Sequence, residues 1–112
     1  MKDIRAEVAS WDGVSVHPHR FGGTEFRLGK RELGHVHGDA DRPRLADLPF
    51  PRTIRDMLVE TGRARPHHVL PDSGWVSFPI RSEEDEREAI ELFRLSYERA
   101  RVAANARAAR RD

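Results

Sequence analysis

The amino-acid sequence predicts an α+β fold in which one antiparallel sheet is covered on one face by helices. Three observations predict it. Apolar residues recur with helical spacing in three segments, short segments of alternating apolar and polar residues lie between them, and glycine-containing turns separate these alternating segments. The elements are therefore expected in the order α-β-β-β-α-β-β-α, which is typical of the α+β class.

The N-terminal elements are a short helix and a meander of three strands. Three apolar residues share one helical face and predict a helix over residues 2–10. Two alternating segments then flank the pair Gly22-Gly23, as in a β-hairpin, because glycine readily adopts the backbone angles of a tight turn. A third segment follows another break. The strands are expected at residues 14–19, 24–28 and 32–37.

A loop, a helix and a second hairpin come next. Residues 39–50 are rich in Asp, Arg and Pro and are expected to form a loop. Pro51 fits the first turn of a helix, and an apolar stripe extends that helix to Gly62. Residues 67–70 and 74–80 are then expected to pair as two strands joined by a Pro-Asp-Ser-Gly turn.

The last element is a long helix. Ser82 is expected to cap its N-terminus, with Asp85 at the third helical position. Acidic residues precede arginines along this helix, the order that the helix dipole favours, which indicates helix stabilisation rather than a nucleic-acid-binding tail. Large apolar side chains end near Arg101, so the residues after about 101 are expected to project or fray.

Length and charge restrict the class of protein. A chain of 112 residues is expected to form a single domain over residues 1–112, because independent cores become marginal below about 60 residues. No apolar run approaches the ~20 residues that span a bilayer, and no export signal opens the sequence, so a cytoplasmic protein is expected. The net charge of +1 argues against non-specific nucleic-acid binding.

The expected strand register gathers histidines on one polar sheet face. If Val14, Phe26 and Val36 face the helices, their neighbours face the other way, because side chains alternate along a strand. This second face is then expected to carry Ser15, His17, His19, Glu25, Arg27, Leu33, His35, His37, Trp75 and Ser77. The sequence has six histidines and no cysteine, so imidazoles are the main candidates for metal binding and for chemistry near neutral pH. Such a face is either a solvated sheet surface or a ligand-binding surface.

Two pairs of histidines are the main candidates for a metal-binding or catalytic site. His35 and His37 lie side by side on a strand, a spacing suited to Zn, Fe or Cu. The adjacent His67 and His68 are expected on opposite faces of a strand, so that only one joins the same site. A carboxylate beside an imidazole, that of Glu32 or Asp39, would instead orient a general base. Further metal ligands are available from Glu25, Asp39, Asp41, His17, His19 and His68.

Four segments resemble the luciferase-domain family of small bacterial and fungal proteins. They are Arg31-Glu-Leu-Gly-His-Val-His37, residues 19–26, residues 68–75 and the acidic start of the last helix, so that the resemblance covers roughly residues 10–100. The matching positions are Arg31, Glu32, His35, His37, His68 and Trp75. Fungal luciferases, whose C-terminal part is similar, oxidise a hydroxylated pyrone with molecular oxygen, without a known metal or organic cofactor, and emit light.

The resemblance implies an oxygenase-like site that needs no cofactor and no metal. In it an imidazole would deprotonate an enol and a cation such as Arg31 would stabilise the anion. We therefore expect a small-molecule-binding domain with catalytic residues His35, His37 and His68. Its ligand-binding residues are expected to be Arg20, Glu25, Arg31, Glu32 and Trp75. The open sheet face also allows a homodimer.

Two other functions stay open at this stage. The first is a nucleic-acid-binding or protein-interaction module that uses Arg20, Arg27, Lys30 and Arg31. The second is a His-ligated metal protein. Neither a P-loop nor a Ser-His-Asp pattern is present in the sequence.

Overall fold

The computed structural model describes residues 3–19, 22–39 and 42–110, which form three helices and six strands. In chain order these are α1 (Ile4–Ala9), β1 (Val14–Pro18), β2 (Thr24–Leu28), β3 (Arg31–Asp39), β4 (Arg42–Pro49), α2 (Arg52–Glu60), β5 (Arg65–Pro66), β6 (Trp75–Pro79) and α3 (Glu83–Arg110). The strands form one open sheet in the order β1-β2-β3-β4-β6-β5, and every pair is antiparallel. The predicted α+β class and the order of the predicted elements are confirmed, with one strand added.

The added strand is β4, so the prediction of a loop over residues 39–50 is wrong. Its charged and proline residues resemble a loop, but Ala46 and Leu48 are completely buried and alternate with Asp47. β4 pairs with β3 on one side and with β6 on the other. A strand in the middle of the sheet therefore carries Asp47 on the face opposite to the apolar residues.

The prediction of a strand over residues 67–70 is also wrong. The strand β5 ends at Pro66, and the chain then leaves the sheet. The backbone N–H groups of Val69 and Leu70 donate hydrogen bonds to Nδ1 of His67, at 3.1 and 2.9 Å. The His67 side chain therefore accepts the backbone N–H groups that a strand would donate to a neighbouring strand.

The core lies between the sheet and two of the helices. α1 and α3 pack against each other, α1 also contacts β1 and β2, and α3 contacts β2, β3 and β4, while α2 packs against β5 and β6. The rings of Phe26 and Phe93 meet edge to face with centroids 5.3 Å apart. Such aromatic pairs contribute about 0.5–1.5 kcal/mol beyond the area that they bury.

Leu33 does not lie on the polar sheet face as expected, because β3 contains a bulge at this residue. The register shifts between Phe26 and Arg27, whose partners are Gly34 and Glu32. Leu33 therefore has no partner on β2, and its side chain is completely buried instead of lying on the polar face. Its carbonyl oxygen accepts a hydrogen bond from the Ser96 hydroxyl on α3, at 2.8 Å.

Gly34 allows this close approach of β3 to its neighbours. Its φ is +148°, and a Cβ at this position would lie 2.8 Å from Cε1 of Phe93 and 2.8 Å from the carbonyl oxygen of Asp47. A side chain would therefore push α3 and β4 away from β3.

The N-terminus of α3 has the predicted cap. The Ser82 hydroxyl accepts the backbone N–H of Asp85 at 3.1 Å, and the Asp85 carboxylate accepts the N–H of Arg81 at 2.8 Å. The helix continues to Arg110, and residues 105–110 are exposed. None of the helices in the described ranges combines the length and apolar character that crossing a membrane requires.

Candidate functional site

Asp47 lies at the centre of the candidate site, and the sequence reasoning missed it. The residue is completely buried in β4, where it is paired with His35 of β3 and with Ser77 of β6. The Ser77 hydroxyl donates a hydrogen bond to Oδ1 of Asp47 at 2.6 Å. The alternation of a single acid between Ala46 and Leu48 was the signal that would have revealed it.

Imidazoles surround the other oxygen of this carboxylate. Among the described residues, four Nε2 atoms lie within 3.5 Å of Oδ2 of Asp47: those of His37 at 2.8 Å, His68 at 3.1 Å, His35 at 3.3 Å and His67 at 3.5 Å. We call these five residues the His-Asp cluster. It contains the three histidines that were predicted to be catalytic.

The first two members of the cluster are held in place by β3. His35 and His37 lie on the same face of the strand, as their spacing predicts, and Nδ1–H of His35 donates to Oε2 of Glu32 at 2.6 Å. Burial disfavours the imidazolium of His35, but the hydrogen bonds to Asp47 and Glu32 outweigh it and raise the pKa of His35 to about 9. The ring is therefore protonated at neutral pH when no metal is bound.

The Asp47 carboxyl is ionised for the same reason. Burial by itself would raise its pKa, but the hydrogen bonds from His35, Ser77 and His37 outweigh burial and hold the pKa of Asp47 well below its usual range. A buried carboxylate thus faces a group of imidazoles that stabilise its charge.

The other two histidines reach the cluster from the segment after β5. Both His67 and His68 contact Asp47, so the prediction that only one of them joins the site is wrong, because neither lies in a strand. Burial outweighs the attraction of Asp47 and lowers the pKa of His67. Since Nδ1 of this neutral ring accepts the N–H groups of Val69 and Leu70, its proton lies on Nε2 and faces Asp47.

Two further rings border the cluster. His19 stacks on His35 with centroids 3.9 Å apart and 22° between the planes. Burial, reinforced by the charge of His35, lowers the pKa of His19. The Trp75 ring centroid lies 5.5 Å from that of His35 and 5.9 Å from that of His67, so that it forms an aromatic wall.

These residues line an open pocket of about 420 Å³. Its floor carries the His-Asp cluster, and Val69 and Leu70 stand at its rim with 67% and 51% of their surface exposed. The complete lining is His19, Glu32, His35, His37, Asp47, His67, His68, Val69, Leu70 and Trp75. We call it the cluster pocket.

The segment over the pocket is attached to α2. The guanidinium of Arg52 donates to the carbonyl oxygen of Asp72 at 2.5 Å, and that of Arg55 donates to the carbonyl oxygen of Pro71 at 2.6 Å. These bonds hold the chain between β5 and β6 beside the sheet face that carries Asp47.

Other predicted site residues lie elsewhere. Arg31 borders a neighbouring cavity of about 420 Å³, which shares Glu32 and Trp75 with the cluster pocket. Glu25 forms an ion pair with Arg27 and does not line the pocket. His17 bonds to the Ser15 hydroxyl at 2.8 Å, whereas Arg20, Asp41 and the side chain of Asp39 lie outside the described residues.

The cluster has the composition of a metal site. Two triads within the described part of the chain have ligand atoms that all lie within 4.8 Å of one another. These triads are His35 with His37 and Asp47, and Asp47 with His67 and His68. Neutral imidazoles and a carboxylate suit zinc and the other first-row transition metals.

The fold and the site define a small α+β domain in which a His-Asp cluster, built on the buried carboxylate of Asp47, lies beneath a pocket. Residues 30–96 match the sequence profile of the luciferase domain, and this match covers more than half of the chain. The protein belongs to the luciferase-domain family. Comparisons with curated proteins and with solved structures give no match. The matched range contains the whole His-Asp cluster together with Glu32 and Trp75.

Proposed function

We propose that the protein binds a small molecule in the cluster pocket and stabilises an oxyanion of that molecule, as an oxygenase-like enzyme does. The observation that carries the proposal is the completely buried carboxylate of Asp47, with four imidazole nitrogens within 3.5 Å, beneath a cavity of about 420 Å³. Burying an ion costs several kcal/mol, and strongly shifted pKa values concentrate at functional sites.

The size and lining of the pocket fit a small planar ligand. Ligand pockets have volumes of about 300–1,000 Å³ and combine apolar walls with a few polar groups. Here Trp75, Val69 and Leu70 supply the apolar wall, and the His-Asp cluster supplies the polar floor. An aromatic ring would lie against Trp75 with its hydroxyl group directed to the imidazoles.

The floor of the pocket supports proton transfer from an enol or phenol. A neutral imidazole accepts such a proton, and positive charge on the floor stabilises the anion that remains. His37 and His68 are the more accessible members of the cluster, with side chains 28% and 46% exposed. The electron-rich anion is the species that would react with molecular oxygen, the second substrate that the family resemblance implies.

A ligand screen by thermal shift tests this proposal. Hydroxylated aromatics and pyrones are added to the wild type and to the His35→Ala/His37→Ala variant, and oxygen consumption is measured for every compound that binds. We expect stabilisation of the wild type by about 2.7 kcal/mol at a concentration of about 100 times Kd, and none of the double variant.

His17→Ala is the matched control for this screen. It removes an imidazole that contacts Ser15 rather than Asp47, so its ligand-induced shift is expected to equal that of the wild type. Circular dichroism confirms that each variant folds before the screen. If the compounds stabilise the wild type and the double variant equally, the site lies elsewhere and the proposal is wrong.

A further inference from the structure

We propose that the His-Asp cluster is a mononuclear centre for a divalent transition-metal ion, held by Nε2 of His35, His37 and His68 and by Oδ2 of Asp47. The proposal rests on the proposed function and revises one part of it: the ion supplies the positive charge on the floor of the cluster pocket, and its imidazole ligands stabilise the anion through the ion instead of accepting the proton.

The distances from Oδ2 of Asp47 to the three ring nitrogens fit a single ion. Oδ2 lies 2.8, 3.1 and 3.3 Å from the Nε2 atoms of His37, His68 and His35. Nitrogen and oxygen ligands bind zinc at about 2.0–2.2 Å, so neighbouring ligands at angles between 90° and 109° lie about 2.8–3.5 Å apart. The ligand atoms of His35, His37 and Asp47 also lie within 4.8 Å of one another, whereas His68 meets Asp47 in the second triad. The ring of His68 would therefore have to move toward His35 and His37 to share one ion with them.

Asp47 has more neighbouring imidazoles than its hydrogen bonds require. Oδ1 accepts from Ser77, and a single carboxylate oxygen such as Oδ2 accepts about two hydrogen bonds. His37 and His68 supply two to Oδ2, at 2.8 and 3.1 Å, and the Nε2 atoms of His35 and His67 lie only slightly farther away, at 3.3 and 3.5 Å. An ion in the place of the ring protons would use such convergent nitrogens as ligands.

The partners of the ligands have the pattern of a metal site. Glu32 accepts Nδ1–H of His35 at 2.6 Å, so an ion at Nε2 would displace only the proton that this nitrogen otherwise directs to Asp47. A histidine that binds a metal almost always donates its other N–H to such an acceptor. Ser77 likewise occupies Oδ1 of Asp47 and leaves Oδ2 for the ion.

His67 is a positioning residue and not a ligand. Its Nδ1 accepts two backbone N–H groups, so its proton lies on Nε2, and it has the longest of the four distances to Asp47. His67 therefore donates to the carboxylate and fixes the turn at Val69 and Leu70. Substitutions of His67 and His68 are therefore predicted to lower the metal affinity by different amounts.

The donor set selects the class of metal. Three imidazoles and one carboxylate bind zinc, iron, cobalt, nickel and copper, and the chain has no cysteine to favour a thiolate-bound ion. All four ligands line the cluster pocket. A bound ion would be open to the cavity, where it would polarise a ligand oxygen.

Cobalt binding to the protein purified without a histidine tag tests the proposal. After treatment with a chelator, Co²⁺ is titrated in, and the metal content and the visible d–d absorption are measured. We expect one Co²⁺ per chain, with absorption bands characteristic of nitrogen and oxygen ligands. Binding of less than about a tenth of an equivalent would overturn the proposal, because a built site with four ligands fills under these conditions.

Three variants test the assignment of the ligands. His37→Ala and His68→Ala are expected to weaken Co²⁺ binding by more than about a hundredfold, because each removes a direct ligand and loss of an outer-shell partner alone costs about 10–100-fold. His67→Asn retains an acceptor near the position of Nδ1 and is expected to weaken binding by about tenfold, the lower end of the range for an outer-shell partner. Equal losses for His67→Asn and His68→Ala would contradict the assignment, and His17→Ala is the control for loss of an unrelated imidazole.

Ligand binding separates this proposal from the proposed function. Any compound from the thermal-shift screen is titrated into both the metal-free and the Co²⁺-loaded protein, and we expect tighter binding and a changed d–d spectrum in the loaded form. Equal binding without a spectral change would overturn the metal proposal and leave the proposed function standing. Stoichiometric Co²⁺ binding without binding of any hydroxylated aromatic would support the metal proposal and contradict the proposed function.

Discussion

Asp47 is the residue whose charge organises the rest of the site. It is completely buried, and its two oxygens contact Ser77 and the imidazoles of the cluster. The charged form of His35 depends on it, because the hydrogen bond to Asp47 is a main cause of the raised pKa of His35. A change at this one residue therefore alters the protonation of its neighbours as well as its own.

The substitution Asp47→Asn is predicted to destabilise the metal-free protein by about 1.5–3 kcal/mol, because it removes one of the two carboxylate partners of the buried imidazolium of His35 and leaves only Glu32. Urea unfolding measures the difference. The matched control is Glu98→Gln, which replaces a half-exposed acid paired with Arg94 at 3.0 Å and is expected to cost about 0–1 kcal/mol. Equal effects of the two substitutions would show that Asp47 does not hold a charged partner.

The metal-free protein is predicted to lose stability as the pH rises from 6.5 to 9. Folding raises the pKa of His35 from 6.5 to about 9, so the stabilisation is fully present below the unfolded value and disappears as the pH passes the folded value. Unfolding free energies measured in the presence of a chelator test this direction. The His35→Gln variant is expected to have a flatter profile over this interval, and parallel profiles would contradict the assignment.

At the scale of the elements, the bulge in β3 determines how closely α3 approaches the sheet. Gly34 is predicted to be irreplaceable at this point, and Gly34→Ala is expected to destabilise the protein by about 2–4 kcal/mol through backbone strain and overpacking. Gly29→Ala is the control, since Gly29 also has a positive φ, of 63°, but no atom within 4 Å of an added Cβ. Chemical denaturation of both variants separates the effect of packing from that of backbone strain. Equal losses of unfolding free energy in the two variants would show that close packing at Gly34 adds nothing.

The sequence correctly predicted the features that are specified by residues close together in the chain. The glycine hairpin, the spacing of His35 and His37 and the cap at Ser82 are such signals, and the structure contains them. β4 was missed because its stability comes from pairing with β3 and β6, which local composition does not report.

The candidate site was predictable to the extent that it lies in regular strands. His35 and His37 follow from strand alternation, and the family resemblance adds His68. Asp47 was missed together with its strand. His67 was expected on the opposite face from His68 because both were placed in a strand. The side chain of His67 prevents that strand, since its Nδ1 accepts two backbone N–H groups that strand pairing would need.

For the whole molecule, the proposed metal ion would act as a crosslink. Its four ligands come from β3, β4 and the segment after β5, so they join parts of the chain that are distant in sequence. Metal binding is therefore predicted to stabilise the entire fold, by about 2.7 kcal/mol at a free metal concentration of about 100 times Kd.

Calorimetric or optical melting with and without Co²⁺ measures this stabilisation. The melting temperature of the wild type is expected to rise with metal concentration and to return to its starting value after chelation. The His68→Ala variant should respond much less, because it lacks one ligand. A rise of the same size in wild type and variant would indicate metal binding at another place.

The contact between the two ends of the fold affects how the chain can fold during synthesis. The Tyr97 hydroxyl donates to the carbonyl oxygen of Asp12 at 2.7 Å, across a separation of 85 residues, and Trp11 lies against the same ring. α1 has six residues, too few for an isolated helix to be stable in water. α1 is thus synthesised well before the helix that stabilises it, and a nascent chain that has not reached Tyr97 keeps the apolar residues of α1 available to chaperones.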